Sequence, residues 1–178
     1  PIIPKVSGYI SEVLVRDNQE VHQGDLLIRI ESQEYQIRVD QASASLQAAR
    51  ETLLSPRSQV GQIISQTEAA NADYQKSLSD LRRYRPLAAN DEISHQQMEE
   101  AERAASSNGS KLRALEQQIS AAKAQVKLGE ARVIEAEASL KHAELELSYT
   151  RVVAPASGKI SKKSVQPGQW VQTGQSLM

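Results

Sequence analysis

One motif occurs twice in this 178-residue chain, with the two copies 150 positions apart. The first copy, PKVSGYISEVLVRDNQEVHQGDLLI, runs from Pro4 to Ile28; the second, APASGKISKKSVQPGQWVQTGQSLM, runs from Ala154 to Met178. Aligned without a gap, the copies share Ser7/Ser157, Gly8/Gly158, Ile10/Ile160, Ser11/Ser161, Val15/Val165, Gln19/Gln169, Val21/Val171, Gly24/Gly174 and Leu27/Leu177. A unit this short cannot bury a core alone, so the copies are expected to pack on each other and to hold together the ends of the segment between them.

Each copy has the pattern of short β-strands joined by turns. Aliphatic residues alternate with polar ones at Val13 and Val15 and at Leu26, Ile28 and Ile30, as in half-buried strands. Asp17-Asn18 and Gln23-Gly24-Asp25 are turn signals, and Gly24 can adopt a positive φ. Pro167-Gly168 occupies the place of Asp17-Asn18 in the second copy.

Between the copies lie two heptad-patterned stretches, typical of helices that pack through a narrow seam. Phe is absent and aromatics make up only 3% of the chain, which fits such a seam better than a large globular core. In the first stretch the two rows are Val39, Leu46, Leu53, Val60, Thr67, Tyr74, Leu81 and Ala42, Ala49, Pro56, Ile63, Ala70, Ser77, Tyr84. In the second they are Met98, Ala105, Leu112, Ile119, Val126, Val133, Leu140, Leu147 and Ala101, Asn108, Leu115, Ala122, Gly129, Ala136, Ala143.

The two stretches are separated by a predicted break from Pro86 to Ile93, and the following Ser94–Gln97 offers a capping box that restarts a helix. Arms of about 55 residues on either side predict an antiparallel hairpin reaching roughly 80 Å. Two places oppose this interpretation. Pro56 interrupts the first seam, and Ser106-Ser107-Asn108-Gly109-Ser110 is poor helix sequence. Local bending or disorder is expected at both, with the hairpin surviving.

The predicted fold class is therefore mixed α and β, with a long antiparallel coiled-coil hairpin inserted between the two halves of a small β domain. Residues 1–31 and 152–178 form the split β domain in this interpretation. Residues 32–151 form the hairpin, with its tip near residues 86–94.

The sequence offers little for catalysis or for ligand chemistry. Net charge is −1 and cysteine is absent, so neither a nucleic-acid partner nor a thiolate site is expected. His22, His95 and His142 lie in separate segments without metal-ligand spacing. Phosphate-binding loops and Ser-His-Asp constellations are absent. We therefore expect no enzyme, no metal and no cofactor. No apolar run approaches the ~20 residues that span a bilayer, and the abrupt ends of the sequence suggest a fragment.

Each β copy resembles half of a biotinyl/lipoyl domain, a fold whose central hairpin presents a modified lysine. Here the helical segment occupies that hairpin position, and no Asp-Lys-Ala or Met-Lys-Met tripeptide occurs. A lipoyl or biotinyl carrier is therefore a disfavoured alternative.

The whole chain resembles the periplasmic adaptor proteins, or membrane fusion proteins, of the HlyD/EmrA type. The resemblance is carried by VSGYISEVLVRDNQEVHQGDLLIRIE, by RYRPLAANDEIS and by LSYTRVVAPASGKISKKSVQPGQWVQTGQSLM. It implies a protein that links an inner-membrane transporter, of major-facilitator or ABC type by the arm length, to an outer-membrane channel of TolC type, for drug efflux or type I secretion. It also implies several copies in the assembled pump, a periplasmic location, a following β-barrel domain and an inner-membrane anchor before residue 1.

The resemblance further implies three docking residues at the tip, which match Arg83, Leu87 and Ser94 in spacing. Each has a structural alternative. Arg83 is one of several exposed basic residues, Leu87 can pack inward over the seam, and Ser94 can serve only as a helix N-cap. Trp170 likewise has two interpretations, local packing within the β domain or a contact with a further domain. A generic coiled-coil scaffold that associates in parallel and has no special tip is the remaining alternative.

Overall fold

Two long helices follow one another in the middle of the chain, with short strands before and after them. The computed structural model describes residues 2–178, so the first residue of the predicted segment 1–31 lies outside it. The helices are α1 (Gln33–Ala89) and α2 (His95–Tyr149). The strands are β1 (Gly8–Val13), β2 (Glu20–Val21), β3 (Leu26–Ile30), β4 (Arg151–Val153), β5 (Gly158–Lys159) and β6 (Trp170–Val171). The predicted fold class is confirmed.

The chain forms two compact units. One, here the β unit, contains the chain up to Ala48 together with Val133–Met178; the other, here the helical unit, is Ala49–Arg132. Both helices contribute to both units. Within residues 2–178, neither helix is apolar enough over a sufficient length to cross a membrane.

The strands of the β unit pair across the two halves of the chain. One sheet has the order β4-β3-β1-β6 and the other pairs β2 with β5, and all pairs are antiparallel. Thus β1 pairs with β6, β2 with β5 and β3 with β4, each joining the first half to the second. The prediction that the two copies pack on each other is confirmed.

The sequence repeat is also a repeat of hydrogen bonds. Gly24 N donates to Ala154 O at 2.9 Å, and the equivalent Gly174 N donates to Pro4 O at 3.4 Å. Ile10 N donates to Gln169 O, and Ile160 N to Gln19 O, both at 2.9 Å. Positions 150 residues apart therefore exchange roles, as expected for two halves related by an approximate two-fold axis.

The predicted turns have the backbone conformations that their residues favour. Asn18 and Gly168 have φ of 62° and 82°, and Gly24 and Gly174 have φ of 92° and 90°. In both halves, the residues with positive φ are thus Gly or Asn, which tolerate the left-handed conformation best. Each of these positions lies 150 residues from its counterpart.

Aliphatic side chains from both halves fill the core of the β unit. Ile10, Leu27, Ile28, Ile30, Val165, Val171 and Leu177 are at most 1% exposed. Tyr35, from the first turn of α1, joins this core, and Leu147 of α2 packs against it. Burial of so many branched side chains is the main stabilising term for a small sheet, and it holds the ends of the two helices next to the strands.

In the helical unit, the predicted heptad rows form the seam. Within Ala49–Arg132, every residue of the four rows is buried or partly buried. Arg57 Nη2 lies 3.1 Å from Glu130 Oε1, so the start of the α1 part faces the end of the α2 part. Tyr74 faces Gly109 and Leu53 faces Gly129, which confirms the antiparallel pairing.

Local bending or disorder was expected at Ser106-Ser107-Asn108-Gly109-Ser110, but α2 is helical throughout this stretch, so no disorder is found there. Gly109 lies opposite the ring of Tyr74, and a Cβ at this position would stand 2.9 Å from Tyr74 Cε2. The glycine therefore provides space for a large residue of the facing helix. Packing against the facing helix α1 outweighs the low helix propensity of the local sequence.

The break expected from Pro86 starts later than predicted, and α1 shows no disorder at Pro56. α1 is continuous through Pro56 and through Pro86, so the predicted break from Pro86 to Ile93 begins only at Asn90. Each proline removes one backbone hydrogen bond. The carbonyls left without an amide belong to Thr52 and Arg82, which are both exposed, so water can replace the lost bond.

Candidate functional site

The first helix ends at the tip in a Schellman motif. Glu92 N donates to Leu87 O at 2.9 Å, and Asp91 N donates to Ala88 O at 3.2 Å. Asp91 has a φ of 58°, the left-handed conformation of such a C-terminal cap. Two of the last carbonyls of α1, those of Leu87 and Ala88, therefore have amide partners. The Asn90-Asp91 pair carries the signal for this helix end, since Asn and Asp enter this region more readily than other non-glycine residues.

The second helix begins with the predicted capping box, which the structure confirms. Gln97 N donates to Ser94 Oγ, and Ser94 N donates to Gln97 Oε1, both at 3.2 Å. The N-cap interpretation of Ser94 is therefore correct. The side chain is exposed, and a hydroxyl that accepts one bond still has its own hydrogen to donate. Capping leaves Ser94 able to bind a partner.

Arg83 lies on the exposed surface of α1 and is held from two sides. Its Nη2 is 2.7 Å from Asp80 Oδ1, and its guanidinium carbon lies 5.3 Å from the ring centre of Tyr84. The side chain remains 65% exposed. An arginine has five N–H donors, and the bond to Asp80 uses one, so the others are available to a partner.

Leu87 lies one turn after Arg83, on the same face of α1. Its side chain is partly buried. This burial lies between the full burial expected for packing over the seam and the full exposure expected for a residue that only contacts a partner. Its carbonyl also accepts the Asn90 amide at 3.3 Å, in addition to that of Glu92. Arg83 and Leu87 thus belong to the last two turns of α1, and Ser94 belongs to the start of α2.

A groove between the helices lies beside these residues. It has a volume of about 370 Å³, and its lining includes Ser77, Asp80, Tyr84, Ile93, Gln97 and Glu100. From the sequence, Tyr84 was placed in a heptad row and Ile93 at the end of the predicted break, but neither they nor Asp80 were assigned to a functional site. Asp80 lies beside the heptad row that contains Ser77 and Tyr84, and Gln97 lies beside the row that contains Ala101. Such positions at the edge of the seam are the signal that could have identified these two residues.

The β unit has a half-exposed aromatic pair. The rings of Tyr9 and Trp170 meet edge to face, with their centres 4.8 Å apart, and the two residues are 52% and 48% exposed. Local packing of Trp170 is therefore observed. The contact of Trp170 with a further domain stays a prediction.

Tyr35 connects α1 to the sheet. Its hydroxyl donates to the Ser7 carbonyl at 2.7 Å, and burial raises the pKa of this hydroxyl above its ordinary value. Arg38 lies over the Tyr35 ring at 5.2 Å and forms ion pairs with Glu34 on the same helix and with Glu146 on α2. This network fixes the first turns of α1 against α2 and against Ser7, the residue that precedes β1.

Metal coordination finds no support in the part of the chain that the structure describes. Among residues 2–178, no three His, Cys, Asp or Glu side chains are grouped so that they could hold a metal ion. The tip site, defined here as Arg83, Leu87 and Ser94, is suited to hydrogen bonding and apolar contact.

A family model described as "RND MFP, barrel-sandwich hybrid domain" matches residues 1–178. The chain belongs to this family of membrane fusion proteins. The resemblance to HlyD/EmrA-type adaptors is confirmed by the relatives that match this chain, which include proteins named EmrK and MdtN. The probable multidrug resistance protein EmrK of Escherichia coli K12 is 32% identical over 182 residues, covering 100% of this chain and 47% of EmrK. Multidrug resistance protein MdtN of Shigella flexneri is 32% identical over 179 residues, covering 95% of this chain and 52% of MdtN.

A solved membrane fusion protein has the same fold. The structure titled "Structure of the periplasmic adaptor protein EmrA" matches with a TM-score of 0.54 and 17% identity, covering 99% of this chain and 69% of that one. This chain spans about half the length of the curated relatives EmrK and MdtN. It corresponds to the barrel-sandwich hybrid domain with its helices.

Proposed function

We propose that this membrane fusion protein is a periplasmic adaptor that links an inner-membrane transporter to an outer-membrane channel, for drug efflux or type I secretion. Membership of the family and the multidrug-resistance names of its relatives support this role. In this proposal the protein changes no covalent bond. An inner-membrane anchor in the longer protein holds one end, and the hairpin tip docks on a channel of TolC type.

The observation that carries the proposal is the construction of the tip. A Schellman motif closes α1 through backbone hydrogen bonds, and a capping box opens α2 through bonds between side chains and the backbone, so local hydrogen bonds hold both ends of the turn. Fixed geometry lowers the ordering cost of binding. Arg83 and Ser94 keep free donors, and Leu87 offers an apolar side chain beside them.

In this proposal Leu87 fills an apolar notch between helices of the channel, while Arg83 and Ser94 make polar contacts around it. Several copies stand side by side in the assembled pump and line or seal the conduit. The two helices are long, with 57 and 55 residues, and arms of this length resemble those of adaptors for transporters of major-facilitator or ABC type.

Photocrosslinking in cells tests the docking directly. A photoreactive residue is placed at Asp91 in the full-length parent, with a control probe in mid-helix at Gln125, which is also exposed. We expect a selective crosslink from Asp91 to the outer-membrane channel. A missing channel product at Asp91, or an equal product at Gln125, contradicts tip docking and leaves a coiled-coil scaffold as the interpretation.

Substitution at the tip tests the residues. Arg83→Asp and Leu87→Asp are expected to abolish transport, because each places a carboxylate at the docking surface. Both positions lie outside the core of the β unit, so circular dichroism should show a folded protein. Unchanged transport in both variants rejects the tip assignment. A lipoyl or biotinyl adduct in the intact mass of the protein from cells would instead support the carrier alternative.

A further inference from the structure

The orientation of Arg83 is set by its neighbours, unlike that of the arginines on either side. Asp80 accepts its Nη2 hydrogen at 2.7 Å, and the Tyr84 ring lies against the guanidinium at 5.3 Å. Among the described residues, Arg82 and Arg85 form no ion pair with a carboxylate. Of these three arginines, only Arg83, which matches the spacing of the docking residues, is paired with a carboxylate.

Holding Arg83 does little for the stability of the fold. Its side chain is 65% exposed and that of Asp80 is 35% exposed, and an ion pair this accessible to water and salt contributes little to folding. The same contact nevertheless restricts a long side chain with many rotamers. A side chain that is already ordered loses less entropy when it binds a partner.

We infer that Asp80 is a positioning residue for docking, which holds the Arg83 guanidinium in the orientation that the channel binds. The inference rests on the docking role proposed for Arg83. The bond to Asp80 uses one of five donors, so positioning does not block the others. The Tyr84 ring, 5.3 Å from the guanidinium carbon, adds a cation–π contact.

A competing role for Asp80 predicts the opposite effect. If the carboxylate sequestered Arg83 from the partner, its removal would strengthen docking. If it positions Arg83, its removal weakens docking only while Arg83 is present. A double-mutant cycle separates these roles because it measures the coupling between two residues.

The experiment measures binding of the full-length parent to the purified outer-membrane channel in detergent, with Asp80→Asn, Arg83→Ala and the double variant. We expect Asp80→Asn to weaken binding by about three-fold and Arg83→Ala by more than about ten-fold. The double variant should bind no more weakly than Arg83→Ala. Asp80→Glu, which keeps the carboxylate, should restore most of the affinity.

Glu99→Gln is the matched control. Glu99 pairs with Arg103 at 3.6 Å on the first turns of α2, so this variant removes the same charge near the tip without releasing Arg83. Unchanged affinity is expected. The inference is overturned if Asp80→Asn binds as the parent does, binds more tightly, resembles Glu99→Gln, or adds its full effect to Arg83→Ala. If Arg83→Ala binds as the parent does, the docking role of Arg83 fails as well.

Discussion

The β unit and the helical unit bury their side chains to different depths. In the β unit, Leu27, Ile28 and Ile30 are fully buried between residues from both halves of the chain. In the helical unit most seam residues are only partly buried, and Leu53, among the most buried there, keeps 7% exposure. Two helices have a single contact face each, whereas the paired halves enclose their core.

The difference separates two tasks. The β unit gains much of its stability from strand pairs that join the two halves of the chain, so it fixes the ends of both helices. The helical unit gains specificity from matched sizes along a shallow seam, and its outer surface remains free for partners. Most of the resistance to unfolding should therefore reside in the β unit, and the binding surface should lie where packing is shallower.

The same substitution in each unit gives the largest expected effect. Leu27→Ala leaves a cavity in an enclosed core and should cost about 4 kcal/mol, whereas Leu53→Ala should cost about 2 kcal/mol because solvent and neighbouring side chains reach its site. Chemical denaturation followed by circular dichroism measures both. Hydrogen exchange assigns each loss to its unit.

A control in the β unit is Leu14→Ala, since Leu14 is 47% exposed and should change stability by less than about 0.5 kcal/mol. Equal costs for Leu27→Ala and Leu53→Ala would break the comparison, because they would show that the seam is as enclosed as the core of the β unit.

Two glycines on the facing helices test the matched sizes of the seam. Gly109→Ala places a Cβ 2.9 Å from the ring of Tyr74, whereas a Cβ at Gly61 meets no atom within 4 Å. An aromatic ring cannot yield as the end of a flexible chain does, so Gly109→Ala should lose about 1 kcal/mol despite better helix propensity. Gly61→Ala should gain about 1 kcal/mol.

Thermal unfolding of both variants provides the measurement. Opposite shifts in Tm are expected, and Tyr74→Ala in the Gly109→Ala background should recover part of the loss because it removes the clash. If both alanine variants were more stable than the parent, helix propensity, and not the space that Gly109 leaves for Tyr74, would determine the stability of the helical unit.

Sequence predicted those features that a repeating pattern defines. The two copies identified the turns at Asn18, Gly24 and Gly168 because equivalent positions must adopt equivalent conformations. The heptad rows identified the seam, and the Ser94 capping box depends on residues only three positions apart. These signals are either local or repeated, so a single chain is sufficient to detect them.

The remaining features depend on contacts that the sequence does not show. Gly109 looks like a helix breaker until Tyr74 of the facing helix is placed opposite it. Pro86 appears to end a helix, but α1 continues through it, and Arg82, whose carbonyl loses its amide partner, is an exposed residue. The contacts of Arg83 with Asp80 and Tyr84 were not predicted, because the surface of a helix offers many pairs of residues at this spacing and the sequence does not show which of them are in contact. The docking role of Arg83, Leu87 and Ser94 stays a prediction.

An effect no larger than those of the glycine variants is expected at the link between the helices and the sheet in the β unit. Tyr35→Phe removes the hydroxyl that donates to the Ser7 carbonyl at 2.7 Å and keeps the ring that packs beneath Arg38. Loss of one hydrogen bond to a backbone carbonyl should cost about 1 kcal/mol. The cost should be lower than that of Leu27→Ala, since no cavity larger than one oxygen atom forms.

The dependence of this cost on pH identifies the hydroxyl as its source. Burial raises the pKa of Tyr35 in the folded protein above the ordinary value of 10.0. Below that value the folded and unfolded states both keep the proton, so the contribution to stability is complete. Above it the unfolded state releases the proton first, so the free energy of unfolding falls as pH rises toward the folded pKa. The difference between parent and Tyr35→Phe in urea denaturation should therefore be constant up to about pH 9 and shrink above about pH 10. A difference that stays constant at high pH would show that the pKa of Tyr35 is the same in the folded and unfolded states, which would contradict the burial of its hydroxyl.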